Sequence, residues 1–451
     1  MLTPSVGWNL LAASAVLQIV RIVATVAALL MVAGAQASTP NARPLTGLKA
    51  PDGPLLGMVW VGEKAEIAPL DAATLEPAGK ALPVKNIGAW TFSPSHDQLA
   101  LGSTRSPLVR FVDAARLQPL RSVKLGLSGT VERIDWLSAR SVVVVYAHFD
   151  GTRIAWVDPT TGKVVKRGRL GMDPFKAASG GGRLVALLPP RKGIGTARLA
   201  VVGTGTRARI VSLPKIRIGS TVPRENTVFR RISPGLALDP DGAHAYVVGT
   251  EGVVADVNLR SRAVAYHSLT QPRSLAARLG AWLVPTAEAK QIAGPVLDAT
   301  WLGGGLVAVA GTRYDATTGK DGETQFATPL GLRVVDVRTW TQRTLDAGAN
   351  GFAIADDALL AYGVRSQWSQ TAQSVSGMGV AAYGTDGNAR FHLLPSVPVG
   401  YVQVNGSRAY GWVDDQANAW HIVVLDVAAG TVERDLTLTH PTHLLIGDGS
   451  Y

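Results

Sequence analysis

The most one-sided run of charge in this chain is basic. Between positions 191 and 231 lie Arg191, Lys192, Arg198, Arg207, Arg209, Lys215, Arg217, Arg224, Arg230 and Arg231 against one acid, Glu225. Cations without balancing carboxylates hold anions, by charge-assisted hydrogen bonds and by screened attraction. Alternate residues of a strand share a face, so Arg207 and Arg209 project together, with Lys215 and Arg217 nearby. The expectation is a cationic rim of Arg207, Arg209, Lys215, Arg217, Arg224, Arg230 and Arg231. An anionic envelope polymer, lipid headgroups, a carbohydrate or a protein are the partners considered. Nucleic acid is not expected, because no reader motif is present. The competing reading is a solvated basic surface with no ligand. Trp368, in the polar segment RSQWSQTAQS, offers a flat face on which a sugar could stack.

Other candidate chemistries reduce to structure. Asp71, Asp113, Asp158, Asp256, Asp336 and Asp426 recur at the ends of similar strands, and a carboxylate repeated in every unit serves turns rather than catalysis. His440 and His443 are neighbours, but a spacing of three in a strand sends them to opposite faces. The segment DATTGKDGE offers Asp315, Asp321 and Glu323, without calcium-loop spacing and with Lys320 inside it, so it reads as a flexible polar loop. GxSxG, P-loop, HExxH and a helix-opening GxGxxG are all missing. No metal, cofactor or catalytic residue is expected. The chain has no cysteine, which excludes disulfides, thiolate ligands and a cysteine nucleophile.

The elements that must position any site are short strands in a repeating phrase. An apolar strand ending in Asp, a polar turn and a second strand recur as VRFVDAARLQPLRSVKL, IAWVDPTTGKVVKRGRL, VVADVNLRSRAVAYHSL, LRVVDVRTWTQRTL and IVVLDVAAGTVERDL. A four-strand unit recurring at roughly 40–50 residues signals a β-propeller. Innermost strands are expected at Ala89, Glu132, Phe175, Gly235, Leu297, Gly351 and Tyr401, one short of the repeats counted. The tail HPTHLLIG, residues 440–447, supplies the eighth by pairing with LGMVWV at residues 56–61, so both termini build one blade and close the ring. The count is then eight blades, or seven if residues 172–213 do not complete one. Insertions at 214–233 and 270–295, the second with a short helix at 274–284, interrupt the rhythm. Trp90, Trp136 and Trp301, on innermost strands, should pack between blades.

Residues 1–37 carry an apolar run behind Arg21 and end in Ala35-Gln36-Ala37. They read as a cleaved secretory signal, or else as an uncleaved membrane anchor; both place the rest outside the cytoplasm. Residues 38–55 are rich in Pro, Gly and small polar residues and read as a flexible, unpacked lead-in, and 56–451 form the propeller domain, expected to be monomeric. The chain of 451 residues carries +11; loss of Arg21 with the signal leaves 43 basic against 33 acidic residues, +10.

The stretches FSPSHDQLALGS (92–103), ALDPDGAHAYVVGT (237–250) and VDPTTGKVV (157–165) resemble the bacterial propellers with YVTN-type and WD-like repeats, which include lactonase-like and quinoprotein-like members. The resemblance implies an all-β propeller of four-stranded antiparallel blades over nearly the whole mature chain. It carries no functional residue across, since such repeats serve unrelated activities. Two functions follow as expectations. One is an exported, non-catalytic binding or scaffold module of the cell envelope; the alternative is a lactonase-like or quinoprotein-like enzyme with its site at the channel mouth.

Overall fold

Apolar residues alternating with polar ones over five to ten positions, cut by turn residues, form half-buried strands. The computed structural model contains only strands and turns among the described residues, which are 43–204, 207–221, 230–269, 294–319, 322–369, 372–414, 420–446 and 449–450. The signal or anchor at 1–37 and the helix at 274–284 lie outside them.

Among the described residues, strands pair antiparallel into eight sets of four, mostly with their sequence neighbours. Seven innermost strands fall where expected: Ile87–Phe92, Thr130–Ser138, Lys176–Gly180, Gly235–Leu238, Pro295–Gly303, Gly351–Ala355 and Val399–Asn405. We number the blades 2 to 8 from these. Residues 172–213, on which a count of seven turned, contribute strands to a full set in blade 4. Blade 1 takes Thr442–Leu445 as its innermost strand, in register with Leu56–Val61: Leu56 faces Leu445, Met58 faces His443 and Val59 faces Thr442. His443 sits between Trp60 and Trp420, with ring centroids 5.2 and 5.3 Å away, and burial lowers its pKa.

Each blade buries both faces. Eight apolar clusters follow one another around the chain, each shared by two consecutive blades. Phe111 meets Tyr146 between blades 2 and 3, and Trp156 meets Leu184 between blades 3 and 4. The cycle closes where Tyr410 and Ile422 of blade 8 pack on Val59 and Leu444 of blade 1. Trp90, Trp136 and Trp301 all lie in or against such clusters.

Several expectations need correction. The lead-in is packed from Leu45 onward: Leu45, Leu48 and Ala50 are buried. Its carbonyls at Leu48 and Pro51 accept N–H bonds from Asp357 and Gly406, in the first turns of blades 7 and 8. Three apolar residues among prolines and glycines are too few for a periodic signal, yet enough to hold an extended strap. The strap also explains the run Gly303-Gly304-Gly305, a hairpin turn at positive φ. A Cβ on Gly303 would lie 2.3 Å from the Thr46 carbonyl oxygen.

The supposed flexible loop around Asp315 is a hairpin of Leu306–Gly319 and Gly322–Pro329. Its second strand pairs with Ala358–Trp368 of blade 7, joining blades 6 and 7 edge to edge. Likewise the insertion at 214–233 begins as strand: Arg209–Thr221 is continuous, and Arg230–Ile232 pairs back onto its end. Finally, Asp71, Asp113, Asp158, Asp336 and Asp426 do accept turn N–H bonds, but Asp256 does not. It meets His244 Nδ1 at 2.7 Å, and Asn258, two residues on, caps the turn through the N–H groups of Arg260 and Ser261.

Candidate functional site

The early residues of the innermost strands of blades 3 and 4 border one cavity. A cavity of about 440 Å³ opens between blades 2, 3 and 4, lined among others by Glu132, Arg133, Asp173, Phe175 and Lys176. Arg133 clamps Asp135 through three hydrogen bonds of 2.7–3.1 Å. Lys176 reaches an ion pair with Asp298 of blade 6, and Thr152 donates to Asp173. Glu132 has no such partner among the described residues. Burial, and then the negative charge of Asp173, push its carboxyl up to about 7, where it can both give and take a proton near neutrality.

The strain on Glu132 has a measurable consequence. Its carboxyl keeps its proton in the folded chain up to about 7, against 4.5 for the free group. Between those values the folded state binds one more proton than the unfolded state, so stability falls as pH rises through the window. The Glu132→Gln protein should lose this fall and be more stable than wild type at alkaline pH, by at most about 3 kcal/mol before solvent screening is discounted. Urea denaturation on both sides of the window measures it, and an unchanged pH slope in the variant would refute the assignment.

The basic residues lie along the outermost strand of blade 4, at both ends. Arg209 pairs with Val201 near the turn that carries Arg207. Arg217 pairs with Thr196, five residues from Val201 and therefore roughly 16 Å along the strand. At this second end the exposed Arg191 and Lys192 precede Ile194, whose partner is Gly219, and Arg230 pairs with Thr221. Lys215, Arg217, Arg230 and Arg231 are exposed there too. Arg207 and Arg209 are thus separated from the rest, while Arg224 lies outside the described residues. Arg217 is 3.8 Å from Glu251, Lys215 lies over the ring of Tyr266, and Arg231 stands 5.4 Å from the ring centroid of Phe175. The cationic end therefore adjoins the cavity wall. Trp368 lies three blades away, half-buried at the end of its strand and paired with Gln325 and Gln373.

Glu132, Asp173, Lys176 and Asp298 were not singled out as functional from sequence. Lys176 and Asp298 are 122 positions apart, and only the placement of their innermost strands brings them together.

No protein-family model matches the chain, and no curated protein matches it. Solved structures do. One is the dihydro-heme d1 dehydrogenase NirN in complex with DHE, at 14% identity and TM-score 0.50, covering 92% of this chain and 78% of that one. Another is apo AztD from Citrobacter koseri, at 12% identity and TM-score 0.51, covering 88% of this chain and 98% of that one. At these identities the likeness is one of fold: the chain is an all-β propeller built of antiparallel four-stranded blades.

Proposed function

We propose that the protein is an exported, non-catalytic binding propeller that holds a phosphate-bearing anionic polymer of the cell envelope at the cationic end of blade 4. The observation that carries this reading is the gathering of Arg191, Lys192, Lys215, Arg217, Arg230 and Arg231, all exposed, where Glu251 is the one carboxylate in ion-pair contact among the described residues. Unpaired surface cations held on strand ends attract a polyanion at low entropic cost. Export rests on the apolar run and small-residue end of positions 1–37.

The test is retention of the mature protein on immobilised polyphosphate across a salt series, with phosphatidylglycerol vesicles and a neutral polysaccharide as separate arms. Retention should weaken steeply as the screening length shortens from about 30 Å to about 8 Å. The triple change Arg217→Glu, Arg230→Glu and Arg231→Glu should lower affinity at least roughly a hundredfold, at about 1 kcal/mol for each charge placed near an anionic surface. Preference for vesicles or for the neutral polysaccharide, or salt-independent retention, would overturn the reading.

One observation favours a second reading, an enzyme at the channel mouth. Glu132 combines a carboxyl poised near neutrality with a cavity beside it, as acid–base catalysis requires. A hydrolytic activity lost in Glu132→Gln, with its fold intact, would select this reading over the first.

A further inference from the structure

We propose that a second cavity, at the root of the blade 6 hairpin, is a binding site for a small organic phosphate, a phosphate monoester of a glycerol-sized alcohol. The cavity has a volume of about 360 Å³, and its lining includes Arg313, Asp315, Thr328, Arg333 and Thr344. Two cross-strand pairs build it. Arg313 is paired with Thr328 within the hairpin, and Arg333 is paired with Thr344 within the blade. Paired residues of an antiparallel ladder project to the same face, so each guanidinium arrives beside a hydroxyl.

Arg333 is the anomaly that points to a ligand. Its Nε is buried with no hydrogen-bond partner. Burial alone pulls its pKa down, with no carboxylate acting against it. Arg121 and Arg183 also carry a buried guanidinium nitrogen without a partner, but of the three it is Arg333 that lines this cavity; Arg133 and Arg408, by contrast, are matched to Asp135 and Glu433. A buried N–H without a partner is costly, and a guanidinium lining a cavity offers a fork of donors that fits a tetrahedral oxyanion. Arg313, exposed on the hairpin, supplies a second fork, and Thr328 and Thr344 supply hydroxyl donors.

Size and charge narrow the class. The volume lies at the small end of ligand sites yet leaves room beyond a phosphate group. Asp315, on the same wall, repels a polyanion but accepts a hydrogen bond from an alcohol. A monoester bearing free hydroxyls satisfies both ends. This site is two blades from the cationic end of blade 4 and stands independently of it.

Titration calorimetry of the full mature protein with glycerol 1-phosphate, inorganic phosphate and glycerol, at matched ionic strength, tests the proposal. The expected order is glycerol 1-phosphate over inorganic phosphate, with no heat from glycerol. Arg333→Met should bind glycerol 1-phosphate roughly a hundredfold more weakly, yet melt no lower than wild type without ligand, because a buried N–H without a partner has been removed. Arg313→Gln, on the exposed side, should weaken binding roughly tenfold and serves if Arg333→Met does not fold. The triple charge reversal on blade 4 should leave this binding unchanged. Absence of binding, or undiminished binding by Arg333→Met or by Arg313→Gln, overturns the site. Inorganic phosphate binding as tightly as the ester overturns the organic part of the assignment.

Discussion

Replacing Arg133 with methionine should destabilise the protein by about 3–5 kcal/mol, and adding Asp135→Leu should recover most of that loss. Asp135 has no exposed surface, and both its oxygens are held by the Arg133 guanidinium. Methionine replaces the aliphatic stem of Arg133 but leaves the carboxylate buried without its counter-charge. Removing both charges leaves two apolar side chains on a strand whose neighbouring residues are already apolar and packed between blades, Ile134 and Trp136 on one interface and Leu137 on the other. Chemical denaturation of the single and double variants gives the coupling directly. A double variant as unstable as the single one would show that the pair does more than neutralise itself. Arg133 also lines the cavity beside Glu132, so both variants should alter that wall, and the recovery of stability in the double variant reports on the pair alone.

The repeat was readable because the blades restate the same local instructions: a strand-length apolar run, a polar turn and, in most of them, an Asp or Asn whose side chain closes that turn. Such signals lie within a few residues of each other, and the innermost strands accordingly start within two residues of their expected positions. The latch strand was readable for a different reason, as an apolar segment with no blade of its own. What stayed hidden depends on contacts between distant segments. The strap at Leu45, Leu48 and Ala50 is recognisable only from the blades it touches. The hairpin around Asp315 is polar because its outer strand pairs with a neighbouring blade instead of a core. Glu132 carries no mark in the linear chain. Its carboxyl is unusual because the fold buries it and, secondly, because the bend before Lys176 brings Asp173 near it. Asp256 misled because a conserved-looking strand end lay two residues early, and an asparagine does the same capping chemistry as an aspartate.

Ending the chain after Leu438 should abolish the cooperative folding of the ring. The missing strand places Leu445 in the cluster between blades 1 and 2, and Leu444 with Ile446 in the cluster between blades 8 and 1. Alternation along one strand thus serves two interfaces at once. These three side chains are at most 9% exposed. At about 2–5 kcal/mol each, their loss is of the order of 10 kcal/mol, comparable with the entire stability of a domain. Joining the two ends of the chain costs of the order of 5 kcal/mol in loop-closure entropy, so the latch is worth forming only if its packing exceeds that cost. Leu445→Ala alone should therefore weaken closure without undoing it, whereas the truncation also bares the edge of Leu56–Val61 and should drive association. A synthetic peptide of residues 439–451, added to the truncated protein during refolding, should restore a single cooperative transition. A truncated protein that melts like the full chain without the peptide would mean that blade 1 is complete with three strands and that the ring is held by some other contact.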